Sequence, residues 1–175
     1  MNRGQTACVL VVMGVSGTGK TTLAEALAGR LHWTLQEGDA LHPAANVAKM
    51  AGGTPLTDAD RWPWLDRIAA WIDARLAAGE NGIVTCSALI RSYRARLIGE
   101  RRGVRLVFLH GSAALLAARL AARRGHFMPA TLLASQLATL EPPAADEHAI
   151  SVDVGAPPEQ LAAAIVAALA QKGAI

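Results

Sequence analysis

The sequence predicts an α/β fold, a five-stranded parallel sheet flanked by helices in three layers, and two observations carry that expectation. Short apolar runs rich in β-branched residues alternate along the chain with longer stretches of helical periodicity, the order that successive βαβ units require. A glycine-rich turn, Gly14-Val15-Ser16-Gly17-Thr18-Gly19, separates the first apolar run from the first helical stretch, so the chain opens as strand, loop and helix.

The predicted strands are Cys8 to Met13, Trp33 to Glu37, Gly82 to Cys86, Val104 to His110 and a weaker one near Ala149 to Asp153. A helix is expected over Lys20 to Leu31. A long one follows over Asp58 to Ala78, with Thr57 as N-cap, Gly79 just past its end, and Pro63 either tolerated near its start or marking the start itself. Arg91 to Glu100, Ser112 to Arg123, Pro129 to Leu140 and Pro157 to Gln171 complete the helices. No repeat, linker or composition change divides the 175 residues, so one domain is expected, with a small lid around residues 119–136.

Composition narrows the classes of function. Hydrophobic residues make up 52% of the chain, which argues against disorder. The formal net charge is only +3 and aromatics are 4%, with no basic run interleaved with aromatic residues, so nucleic acid is not an expected partner. Lysine occurs only as Lys20, Lys49 and Lys172; the other cations are arginines, suited to bidentate recognition of phosphate or carboxylate. Cys8 and Cys86 lie in apolar runs and are expected to be buried thiols without a disulfide. No apolar run reaches membrane-spanning length and no leader pattern opens the chain, so the expected compartment is the cytoplasm, with no membrane partner.

The glycine-rich turn continues into Lys20-Thr21-Thr22 and so matches G-x-x-x-x-G-K-T. Such a loop closes its backbone amides around phosphate oxygens, and the helix that follows presents unpaired N–H groups and its positive dipole end to the same anion. Gly14, Val15, Ser16, Gly17, Thr18, Gly19, Lys20, Thr21 and Thr22 are therefore the expected nucleotide-binding segment. Lys20 is expected to reach the β and γ phosphates, and the Thr21 hydroxyl to bind Mg²⁺. ATP and Mg²⁺ are the implied cofactors.

An acceptor side is expected at the ends of the next strands. Asp39, in Glu37-Gly38-Asp39 after the second strand, is placed to accept a proton from a substrate hydroxyl or to hold Mg²⁺ through water. Arg91 and Arg94, three apart after the third strand, can face one side and clamp an anion, or simply form a solvated face. Arg119, Arg123 and Arg124 precede Gly125-His126-Phe127-Met128-Pro129. This basic helix end can serve as a lid that brings arginine to the transferred phosphoryl group, with Arg123 and Arg124 in the catalytic role.

Taken together these elements resemble the gluconokinases, small P-loop kinases. The resemblance is carried by Met13 to Thr21, Glu37-Gly38-Asp39 with Leu41-His42-Pro43, Asn46 with Lys49-Met50, and Gly53 to Asp58 with Asp60-Arg61 and Pro63-Trp64-Leu65. It continues through Cys86-Ser87-Ala88-Leu89, Tyr93-Arg94, Arg123 to Phe127, Ser135-Gln136 and Leu140-Glu141-Pro142, and so covers nearly the whole chain. It implies a fold like that of nucleoside monophosphate and shikimate kinases. The implied reaction is ATP- and Mg²⁺-dependent phosphorylation of the 6-hydroxyl of D-gluconate, giving 6-phospho-D-gluconate and ADP, and a homodimer is the implied assembly.

By position the resemblance makes Asp39 the acceptor-activating carboxylate. It nominates His42, Lys49, Arg61, Ser87, Arg91, Tyr93, Arg94, His126 and Gln136 for the gluconate pocket or its lid. Adenine is expected near Arg119 and Arg123 and the loop around Val154 to Pro157. Two rivals remain. A shikimate or nucleoside monophosphate kinase would share the fold, but the His42-Pro43 and Cys86 to Leu89 blocks count against it. A regulatory nucleotide-binding module would not need Lys20, Thr21 and Asp39 together.

Overall fold

Strand β1 (Val9–Met13) reads VLVVM, and all five residues are fully buried, a position available only in the middle of a sheet covered on both faces. It pairs in parallel with β3 (Gly82–Thr85) on one side and β4 (Val104–His110) on the other. Strand β2 (Thr34–Glu37) lies beyond β3 and β5 (Ile150–Asp153) beyond β4, giving the all-parallel order β2-β3-β1-β4-β5. The computed structural model describes residues 7–123 and 130–175.

The pleat sorts side chains into two cores. Leu10 and Val12 face α1 (Lys20–Leu31) and α7 (Pro158–Gln171), joining Leu23, Leu27, Ile165 and Leu169. Val9, Val11 and Met13 face the other way, onto α3 (Asp58–Ala77) and α4 (Arg91–Ile98), where Trp64, Leu65, Ile68, Ile72 and Leu97 fill the layer. Leu116 of α5 (Ala113–Ala122) and Leu133 of α6 (Ala130–Thr139) belong to the first core. The five expected strands and six expected helices are thus present within one or two residues at each end.

Helix α3 begins at Asp58, so Pro63 lies inside it rather than at its start. A capping box fixes that start. Asp60 N–H donates to Thr57 Oγ1 at 3.3 Å, and Thr57 N–H donates to Asp60 Oδ2 at 2.8 Å. Gly79 follows with φ of 70°, the left-handed conformation expected past a helix end.

One helix has no counterpart in the sequence reading. Helix α2 (Ala44–Ala51) buries only Asn46 and leaves Val47 and Met50 exposed, so no apolar stripe announces it. Polar contacts hold it instead. Asn46 Nδ2 donates to the Asp60 carbonyl at 2.8 Å, and Lys49 Nζ meets the two Asp60 carboxylate oxygens at 2.7 and 2.8 Å. Cys8 and Cys86 are buried free thiols, and burial pushes the Cys86 thiol up to about 12, which removes it as a nucleophile at neutral pH.

Candidate active site

The phosphate loop leaves the C-terminal end of β1 and enters α1 through Gly19, whose φ of 84° belongs to the left-handed region that favours glycine. No side chain caps the start of α1 and its first turn carries no acidic residue, so the leading N–H groups face outward as an anion site. A side chain on Gly19 would meet nothing within 4 Å, because this part of the loop borders an open cavity of about 250 Å³. Gly17, Thr18, Gly19, Thr22 and Leu23 form one wall, Arg119 and Arg123 another, and Ala156, Pro158 and Leu161 the third. Arg119 is fixed there by a 2.5 Å hydrogen bond from Nη2 to the Val154 carbonyl. The loop, the two arginines and the chain after β5 therefore converge on one cavity.

Lys20 Nζ donates to the Gly14 carbonyl at 2.9 Å and to the Val15 carbonyl at 3.3 Å. Burial lowers its pKa, and Asp39, Cys86 and Glu37 oppose that fall while Arg123 adds to it. The charges that act on Lys20 thus belong to the ends of β2 and β3 and of α5, the elements that face one another across the site.

Asp39 lies exposed in a 3-10 turn, Gly38–Leu41, directly after β2. Gly38 sets that turn. Its N–H donates to Thr85 Oγ1 at 3.1 Å, its carbonyl accepts the Trp64 indole N–H at 2.8 Å, and a Cβ added to it would sit 1.9 Å from the Thr85 carbonyl oxygen. Gly38→Ala must push the turn off β3. We expect it to lower stability by about 2–3 kcal/mol, visible as a lower midpoint in thermal unfolding, and to reduce kcat/KM because Asp39 moves with the turn.

Five other nominated residues, His42, Lys49, Arg61, Tyr93 and Ser87, lie on the elements that follow β2 and β3. His42 stacks on Trp64 at 4.2 Å and 14°, and Asn46 Nδ2 approaches its Nδ1 at 3.2 Å, which suits an unprotonated Nδ1. Burial holds the His42 pKa below its ordinary value, against the pull of Asp39 and together with the charge of Arg61. Arg61 Nη1 reaches the Tyr93 hydroxyl at 3.4 Å, and that hydroxyl donates to the Asp58 carboxylate. Lys49 is tied to Asp60, whose carboxyl is held at about 2, first by the hydrogen bond from Lys49 and then by those from Thr57. Ser87 is half-buried just past the C-terminal end of β3.

Three further nominated residues make contacts that their motifs do not announce. Arg94 has 1% side-chain exposure. Its Nε and Nη2 donate to Glu147 at 2.6 and 2.9 Å, and its Nη1 donates to the Ala88 and Leu89 carbonyls at 3.1 and 3.3 Å. That guanidinium shapes the loop after β3 instead of clamping a ligand. Arg91 is exposed but paired with Asp146 at 2.5 Å, beside a separate cavity of about 520 Å³ that also reaches Arg105, His148 and Lys172. Gln136 accepts a hydrogen bond from Ser16 N–H at 2.7 Å, which puts it on the phosphate loop. Arg124 and His126 lie outside the described residues, as does most of the expected lid turn.

The sequence reading assigned no role to Trp64, Thr85, Asp58 or Glu147. A tryptophan beside a proline in a helix looks like ordinary core, and Glu147 lies 53 residues from the arginine it neutralises. Asp60, three residues after a threonine N-cap, was the one partner that a local capping signal could have shown.

Hard oxygen donors gather where a divalent cation would serve the phosphates. Glu37 Oε1 is buried without a hydrogen-bond partner while its Oε2 accepts from Thr85 Oγ1 at 2.5 Å, Asp39 is exposed, and Thr21 lies in the first turn of α1. Among the described residues no three His, Cys, Asp or Glu side chains cluster to hold an ion alone. Such a set suits Mg²⁺, which takes one or two carboxylates and completes its shell with water and phosphate oxygens.

A parallel β2-β3-β1-β4-β5 sheet, with a glycine loop and lysine after its central strand and an exposed carboxylate after β2, defines a P-loop kinase. Residues 9–143 match the family described as an AAA domain, and the sequence is 59% identical over 143 residues to the gluconokinase of Gluconobacter oxydans, covering 82% of this chain and 80% of that protein. The crystal structure of a gluconokinase from Sinorhizobium meliloti superposes with a TM-score of 0.83 at 47% identity, covering 98% of this chain and 95% of that one. The chain belongs to the gluconokinase family. A shikimate kinase from Acinetobacter baumannii, 16% identical with a TM-score of 0.60 over 96% of both chains, shares the fold alone.

Proposed function

We infer that this protein is an ATP-dependent gluconokinase, which moves the γ-phosphoryl group of ATP to the 6-hydroxyl of D-gluconate and yields 6-phospho-D-gluconate and ADP. Family membership supports the substrate. The observation that supports the reaction is an exposed carboxylate, Asp39, in the turn directly after β2, whose charge acts on the buried Lys20 of the phosphate loop.

In this reading the first-turn amides of α1 and Lys20 bind the phosphates and stabilise charge that builds on them during transfer. Asp39 accepts the proton of the attacking hydroxyl. Arg119 and Arg123 border the cavity beside the phosphate loop, and the charge of Arg123, which acts on Lys20, supports it as the arginine that reaches the transferred group. The Thr21 hydroxyl with Asp39 or Glu37 would hold Mg²⁺. Held there, it would supply positive charge that offsets the charge of the phosphates. His42, Arg61, Tyr93 and Ser87 supply the mix of hydroxyl partners and cation that a polyhydroxy carboxylate needs. Lys49 stands behind them through Asp60. Arg124 and His126 enter only through the family resemblance, as lid residues. The same resemblance supports a homodimer in the cytoplasm, and no helix among the described residues is long and apolar enough to cross a membrane.

A coupled ADP-release assay with ATP, run across gluconate, shikimate and nucleoside monophosphates, tests the assignment. We expect turnover with gluconate alone. Turnover of another acceptor with none on gluconate would overturn it.

A further inference from the structure

Helix α6 touches both halves of the site. From its second turn, Gln136 Oε1 accepts the Ser16 N–H at 2.7 Å across 120 residues of sequence. A backbone N–H can only donate, so the carboxamide oxygen must be the atom that faces it. Just past the helix end, Glu141 N–H donates to the Leu89 carbonyl at 2.8 Å, and the Glu141 carboxylate accepts the Arg91 N–H at 2.6 Å. Leu133, one turn earlier, is buried, Leu137 packs on the same core, and Leu140 touches both cores. Residues 136–141 therefore span from the nucleotide loop to the acceptor loop.

The Ser16 amide is free to serve this purpose. The donors at the start of α1 that stay open to an anion are the N–H groups of Lys20, Thr21 and Thr22, and the first intrahelical bond runs from Leu23 N–H to the Gly19 carbonyl. Ser16 lies three residues before that helix cap, so a side-chain acceptor can hold it without taking a helix-end donor from the phosphate. Holding it fixes the first half of the loop relative to α6.

We propose that Gln136 is a positioning residue and that α6, pinned by Gln136 to Ser16 and by Glu141 to Leu89 and Arg91, is a strut that couples nucleotide binding to sugar-acid binding. The identity of the two ligands rests on the gluconokinase assignment above. Ordering the phosphate loop around nucleotide fixes α6, and α6 then holds the loop after β3 that follows Ser87 already ordered for the acceptor. Less ordering remains for the second ligand to supply. Because coupling is reciprocal, gluconate must tighten nucleotide binding by the same factor.

Calorimetric titration of gluconate, alone and with saturating non-hydrolysable ATP analogue plus Mg²⁺, tests the strut. In the unsubstituted protein the analogue should tighten gluconate by about fivefold or more, the lower end of common coupling factors. Gln136→Leu should bring that factor close to one while each ligand still binds alone. Gln136→Glu keeps an acceptor oxygen; its charge should weaken the analogue but leave the coupling. Glu141→Ala should also lose coupling, and the double variant Q136L/E141A should lose no more than either single one, since both act through one element. A factor of one in the unsubstituted protein, an unchanged factor in Q136L, loss of coupling in Q136E, or additive losses in the double variant would each overturn the strut. Absence of gluconate binding by the unsubstituted protein would overturn the functional assignment and the strut with it, whereas binding without coupling overturns the strut alone.

Discussion

Asp39→Asn lowers kcat by about 10²–10⁴-fold while ATP affinity stays near its starting value, the range expected when a positioned general base is removed. Asparagine has the shape of aspartate and can still accept a hydrogen bond from the acceptor hydroxyl, but it cannot take the proton. The side chain is exposed in its turn and has no hydrogen-bond partner among the described residues, so the substitution breaks nothing that holds the fold. The loss should fall on kcat rather than on KM for ATP, because the phosphates are bound by α1 and Lys20. Single-turnover ADP formation, paired with a direct titration of ATP, separates the two. An unchanged chemical rate would remove Asp39 as the base. A loss of ATP affinity equal to the loss of kcat would instead assign it to holding Mg²⁺ with the nucleotide.

The legible parts of this fold are those whose causes are local. Residues 8–13 alternate between two apolar cores, so an unbroken apolar run announces a central parallel strand. Thr57 and Asp60 cap α3 within one turn. The phosphate loop is legible because Gly14, Gly19, Lys20 and Thr21 must be contiguous to surround one anion. What failed to show depends on distance in sequence. Helix α2 is held by Asp60 through Asn46 and Lys49 rather than by an apolar stripe. Arg94 looked like a clamp because its spacing from Arg91 is local information, whereas its neutralisation by Glu147 is not. Gln136 was nominated for the gluconate pocket or its lid, and a motif gives no sign that its oxygen reaches Ser16.

That buried arginine carries the second large expectation. Glu147→Leu removes the counter-charge of a guanidinium with 1% exposure, and breaking a buried pair from one side costs about 3–5 kcal/mol. In a chain of this size the unfolding midpoint should fall by about 10 °C. Function should suffer as well, since the same guanidinium donates to the carbonyl of Ala88, a fully buried residue held at φ of 45°, where a non-glycine backbone is strained. With Arg94 no longer anchored, Ala88 can relax and Ser87 moves with it, so KM for gluconate should rise more than KM for ATP. Acid should reproduce part of the stability effect. The hydrogen bond from Arg94 holds the Glu147 carboxyl below its ordinary value of 4.5, so the contribution of the pair is complete above that pH and disappears as pH falls through the lower folded-state value. The unsubstituted protein should therefore lose stability below about pH 4.5 more steeply than Glu147→Leu does. Arg94→Met combined with Glu147→Leu should recover much of the lost stability, because no charge is then left buried, but not the affinity for gluconate, because the hydrogen bond from Arg94 to the Ala88 carbonyl is still missing. Equal melting midpoints for Glu147→Leu and the unsubstituted protein would show that the pair contributes nothing.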